Sequence, residues 1–177
     1  MGAPLEAMTF KLFYSLDKGA TWKPIKTAAP LTGLGYLWQV PKTGGNKPAC
    51  HIKVVGYNGS KIVGADASDK PFTIEVIKLL SPNGGGLPLK SGDSFTITWT
   101  TYATVKPITK VLLSYTVNGG TTWKSIPPLP GDSSSHLWSV PKVTATKAKC
   151  KVKVVLKDAK GVTRGSDASD TFFTIAP

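Results

Sequence analysis

The chain carries one set of motifs twice. Tyr14-Ser15-Leu16-Asp17-Lys18-Gly19-Ala20-Thr21-Trp22-Lys23 returns as Tyr115-Thr116-Val117-Asn118-Gly119-Gly120-Thr121-Thr122-Trp123-Lys124. Leu37-Trp38-Gln39-Val40-Pro41-Lys42 returns as Leu137-Trp138-Ser139-Val140-Pro141-Lys142, and Cys50 returns as Cys150. Asp66-Ala67-Ser68-Asp69 and Phe72-Thr73-Ile74 return as Asp167-Ala168-Ser169-Asp170 and Phe173-Thr174-Ile175, always at an offset of 100 or 101. That period is too long for solenoid or propeller repeats and fits one small β-sandwich per copy. The expected architecture is therefore all-β, with one sandwich in residues 1–77 and a second in residues 78–177.

Strand signals are clearest in the second copy. Phe95, Ile97 and Trp99 alternate with Ser and Thr, and Val111, Leu113, Tyr115 and Val117 alternate in the same way, the period-2 pattern of half-buried strands. Asn118-Gly119-Gly120 supplies a turn tolerant of positive φ. Cys150, Val152, Val154 and Leu156 form an inward row, and Phe173 with Ile175 closes the copy. No window has a 3.6-residue apolar period. Between the copies, Phe72 to Pro82 has no Gly/Ser stretch, so an extended connection and a stiff tandem are expected.

The formal net charge of +12 is large for this length. Of the 22 basic residues only Arg164 is arginine. Arginine makes the bidentate contacts that read phosphates and base edges, whereas lysine is a hydrated point charge. The chain is thus suited to loose attraction toward polyanions, not to sequence-specific nucleic-acid recognition. No apolar run approaches the roughly 20 residues of a membrane-spanning helix. Met1 to Met8 shows neither the basic nor the apolar region of a signal peptide.

Catalytic chemistry has little to use. The histidines are His51 and His136, at non-equivalent positions, and no nucleophile-elbow, zinc-protease or phosphate-loop motif occurs. Neither an enzyme nor a cofactor is expected. Asp66 with Asp69, and Asp167 with Asp170, are oxygen donors of the kind calcium takes, but their spacing matches no EF-hand loop. The competing reading is a turn whose Asp and Ser side chains cap backbone N–H groups.

Lys147, Lys149, Lys151 and Lys153 recur at strict i+2 spacing, interleaved with Cys150 and Val152. A strand places all four on its outer face, and Lys110 and Lys157 widen the patch. The first copy has only Lys47, His51 and Lys53 in the matching row. One reading is a polyanion-binding face; the other is a solvated face that keeps a sheet from associating. The five tryptophans recur at repeat-equivalent or core-alternating positions, so core packing is expected for them, while Phe13, Tyr36 and Tyr57 are the aromatics left for the surface.

Ser81-Pro82-Asn83-Gly84-Gly85, then Leu89 and Ser91-Gly92-Asp93 with Ile97 and Trp99, the Tyr-to-Trp hairpin and the Phe-Thr-Ile end together resemble a known module. It is the Ig-like, fibronectin-III-like extracellular domain of bacterial surface proteins and of the yeast cell-wall-synthesis Ser/Thr-rich GPI-anchored group. The second copy matches all four parts of that pattern and the first matches the last two. The resemblance implies an accessory module on the cell surface or outside the cell, structural or adhesive, with an acidic polysaccharide or cell-wall glycan as a possible ligand. Ser15-Leu16-Asp17-Lys18-Gly19-Ala20-Thr21-Trp22 is also similar to the Asp-box turn of sialidase-type propellers, a structural element there. An immunoglobulin-type disulfide would need a cysteine in the segment Asp93 to Trp99, which has none, so Cys50 and Cys150 are expected as buried free thiols.

Aligned through the offset, Met1 falls opposite Tyr102, and the first copy lacks counterparts of Ser81 to Thr101, its first two strands. Gly2 to Ala7 then reads as sequence from the middle of a domain. A sandwich short of two strands exposes an apolar face around Leu12, Tyr14, Ile52 and Val54 and an unpaired edge. Leaving about 500 Å² of that face wet costs about 12 kcal/mol, comparable to a whole domain's stability. The expectation is a piece of a longer protein whose open domain self-associates or takes a strand from a partner.

Overall fold

The computed structural model describes residues 9–25, 31–85 and 88–177; the early segment Gly2 to Ala7 lies outside them, as does Gly86. All regular structure among the described residues is β, in two compact units. Among the described residues no helix is long and apolar enough to cross a membrane. The first unit takes residues up to Pro41 and Lys47–Ile74; the second takes Lys42–Asn46 and Glu75–Pro177.

The first unit is one sheet. Its strands are β1 (Thr9–Ser15), β2 (Lys23–Pro24), β3 (Lys47–Asn58), β4 (Lys61–Ala67) and β5 (Phe72–Ile74). They are ordered β2-β1-β3-β4, with β5 also paired to β3. Leu12 pairs with Val54 and Tyr14 with Ile52, so the inward rows of β1 and β3 share one face. Those four side chains are only half-buried. Leu34, which lines a groove with Leu12 and Val54, is essentially fully exposed at 107%, and so is Leu37 at 95%.

The second unit is a sandwich. The strands β6 (Ile77–Ser81), β7 (Pro88–Lys90), β8 (Ser94–Thr101), β9 (Lys110–Thr116), β10 (Lys124–Ser125) and β11 (Leu129–Pro130) are followed by β12 (Ser135–Ser139), β13 (Lys147–Lys157), β14 (Thr163–Ala168) and β15 (Phe173–Ala176). One sheet runs β10-β9-β13-β15-β7, with β14 on β13 and β11 on β9; the other runs β12-β8-β6. Between them lie Leu79, Ile97, Trp99, Leu113, Trp138, Val152, Val154 and Phe173, each at most 4% exposed. Burying such side chains stabilises a fold by about 1.5–3 kcal/mol apiece.

Strands β1 to β5 correspond one for one to β9, β10, β13, β14 and β15, and the register repeats: Leu113 pairs with Val154 as Leu12 does with Val54. The second unit adds the residues ahead of β9, which form β6 and β8 together with the short β7. It also pairs Ser135–Ser139 with β8, whereas the equivalent stretch 35–39 forms no strand. Among the described residues the first unit accordingly has the larger sheet of the sandwich and no strand of the smaller one, and its apolar face there is only half-buried.

Candidate functional site

The outer face of the larger sheet is built by the pleat of β13. Val152, Val154 and Leu156 point into the core and are fully buried, which turns Lys151, Lys153, Val155 and Lys157 outward. Lys153 lies opposite Ser114 of β9, and Lys157 opposite Lys110, so these positions share the face predicted for them. Lys147 and Lys149 do not simply continue the row. A bulge between Lys147 and Cys150 breaks the pairing with β15 there, and bulges re-aim the side chains around them. Both lysines are exposed.

Each inner member of the row is held by the protein itself. The Lys151 ammonium lies 5.1 Å from the Phe172 ring centroid and donates to the Asp170 carbonyl at 3.2 Å. Lys153 stands over Trp123 at 4.2 Å. Lys157 donates to the Thr163 hydroxyl at 2.7 Å. The first unit repeats the device with Lys53, 4.3 Å from Trp22 and 5.3 Å from Phe13, and Lys11, 4.7 Å from Tyr57. Trp22 and Trp123 are therefore not core residues, contrary to the expectation from their recurrence. Each folds back from its hairpin onto the outer face, half-buried under a lysine, while Trp99 and Trp138 occupy the core. Arg164, the lone arginine, is spent on a salt bridge to the buried Asp158 through Nη2 and a 2.7 Å bond through Nε. That guanidinium holds the Asp158 carboxyl below the usual range, and the N–H groups of Val162 and Lys160 do the same, against the opposing effect of burial.

The hairpins account for the repeated polar motif. In the first, Ser15 Oγ donates to Asp17 Oδ1 at 2.7 Å and accepts from the Gly19 N–H at 2.8 Å, while Thr21 gives its N–H and its hydroxyl to Asp17. In the second, Thr116, Asn118, Gly120 and Thr122 take the same places, with Asn118 Nδ2 now donating to Thr122 Oγ1 at 2.9 Å. The Thr21 bonds, with the Ser15 hydroxyl, lower the Asp17 pKa to about 2.

The second Asp-Ala-Ser-Asp segment is a brace between strands, not an open carboxylate cluster. Asp167 Oδ2 accepts the Leu79 N–H at 2.7 Å, Ser169 Oγ donates to the Pro82 carbonyl at 2.7 Å, and Asp170 Oδ2 accepts from Asn83 Nδ2 at 2.7 Å. Among the described residues no group of three His, Cys, Asp or Glu is placed to hold a metal. Cys50 and Cys150 are buried free thiols, each donating to the carbonyl three residues earlier at 3.1 Å, and burial pushes both pKa values up.

No protein-family model and no curated protein matches the chain. Among solved structures it is similar to the fibronectin(III)-like modules of CbhA from Clostridium thermocellum, with a TM-score of 0.41 and 15% identity over 56% of this chain and 93% of that one. It is also similar to a β-1,2-glucanase from Parabacteroides distasonis, with a TM-score of 0.35 and 11% identity over 98% of this chain. The chain spans 26% of the glucanase's length.

Proposed function

We propose that the chain is a non-catalytic structural or adhesive module of an extracellular or cell-surface protein. The observation that carries this reading is where the polar groups go. Apart from Asp66 and Asp69, the Ser, Asp and Asn side chains at the recurring hairpin and Asp-Ala-Ser-Asp positions, which could otherwise serve chemistry, go into closing hairpins and bracing strands. A scaffold needs that arrangement; a catalyst needs such groups aimed at a substrate. Labelling intact source cells with a membrane-impermeant amine reagent tests the placement. Modification of this lysine-rich chain before lysis is the expected result, and modification only after lysis overturns it.

A second reading, binding of an acidic polysaccharide, is favoured by the aligned ammonium groups of Lys151 and Lys153 beside the exposed Lys149. Retention on heparin-agarose should then fall steeply with salt and be lost in Lys149→Glu/Lys151→Glu. Equal retention of the double variant makes the face a solvated surface only.

A further inference from the structure

Gly165 of β14 lies where β6 crosses the sandwich. A Cβ there would come within 2.5 Å of Val76 Cγ2 and 3.1 Å of Ile77 Cγ2, so the glycine is what lets the strand approach. Two residues on, Asp167 accepts the Leu79 N–H. Val76, Ile77 and Leu79 are completely buried by this contact and the core behind it. Among the described residues the first unit repeats the receiving side without the strand. Gly64, the counterpart of Gly165, has nothing within 4 Å of where a Cβ would stand. Asp66, the counterpart of Asp167, is exposed and has no hydrogen-bond partner among the described residues. Between them lies a groove of about 330 Å³ lined by Phe10, Val54, Val63, Gly64 and Asp66, and a second apolar groove along Leu12 and Leu31 continues it.

We propose that this face of the first unit binds an extended strand of a partner polypeptide, with apolar residues in the order of Val76-Ile77-Lys78-Leu79. The second unit argues the occupant. The same receiving residues are there occupied by a strand of that pattern, running from the glycine toward the aspartate. An incoming backbone N–H meets the Asp66 carboxylate, which accepts nothing from the described residues, and paired apolar side chains fill the space that Gly64 leaves. The groove is apolar with one acidic acceptor at its end, which complements a strand and not a sugar or an anion. This inference stands apart from the cell-surface reading and survives its failure.

The probe is a synthetic peptide of residues 75–101 titrated into the full chain, followed by ¹H–¹⁵N spectra. Saturable shifts are expected at Gly64, Asp66 and Leu12, with Gly165 unmoved. Gly64→Val should weaken binding by at least about fivefold, the low end of what overpacking costs. The same variant should leave the melting of the free chain unchanged or slightly raised, because the added methyls meet open space. Asp66→Ala, which removes the acceptor without adding bulk, should weaken binding severalfold. Equal affinity of Gly64→Val, shifts confined to the second unit, or no saturation overturns the proposal. So does a peptide-free dimer in which the Gly64 amide is protected, since a second copy then occupies the face.

Discussion

Lys153 Nζ stands 4.2 Å from the Trp123 ring centroid, and Lys53 stands 4.3 Å from Trp22 at the equivalent place in the other repeat. Each pair ties a hairpin tip to the strand beside it, covering an indole with an ammonium that still reaches water. A contact of this kind at a partly exposed site contributes about 0.5–1 kcal/mol. A double-mutant cycle on Lys153→Met and Trp123→Leu, read by urea unfolding, should return a coupling of that size. A coupling indistinguishable from zero would show that the two merely lie near one another.

The same indoles show why the outer face was only half legible in the sequence. Alternation along Cys150-Lys151-Val152-Lys153-Val154 assigns each side chain to a face, and the strand obeys it from Cys150 onward. It gives no sign of the bulge ahead of Cys150, because a bulge costs one residue of register and leaves the composition unchanged. Recurrence points Trp22 and Trp123 to the core because it reports that a position is constrained without saying from which side. Strand β14 escaped for a third reason. Thr163-Arg164-Gly165-Ser166-Asp167-Ala168 has almost no apolar alternation, and what makes it a strand is the ladder with β13 and the close passage of β6.

The Asp17 hairpin carries a pH dependence that the Asn118 hairpin lacks. The folded pKa of about 2 lies below the ordinary carboxylate value of 3.8 that the unfolded chain keeps, so the contribution is present above pH about 4 and lost as pH falls through about 2. Side-chain ¹³C titration should find the low Asp17 value. Asp17→Asn, which recreates the second hairpin's bonding, should keep the fold at neutral pH and remove that part of the acid sensitivity. An Asp17 midpoint near 4 in the folded chain would contradict the bonding described.

Cys50 and Cys150 are both fully buried with raised pKa values, which leaves the thiols neutral and shielded at pH 7. Thiol titration with a disulfide reagent should count two groups after denaturation and almost none before it. The first to react on partial unfolding should be Cys50, since among the described residues its unit has no second sheet over that face. Early reaction of Cys150 instead would mean that the second unit opens first.

Gly165 and Gly64 offer a paired test of what the missing layer does to the first unit. Valine at 165 drives methyls into Val76 and Ile77, which are packed on all sides and have little room to give. Overpacking of that kind destabilises by about 1–3 kcal/mol. Valine at 64 meets open space in a strand, where a β-branched residue is favoured over glycine, so its effect on the free chain should be neutral or slightly stabilising. Urea melts of Gly165→Val and Gly64→Val, resolved by signals from each unit, should therefore move in different directions or by very different amounts. Equal destabilisation by the two would mean that Gly64 is already covered in solution, and the open face with it.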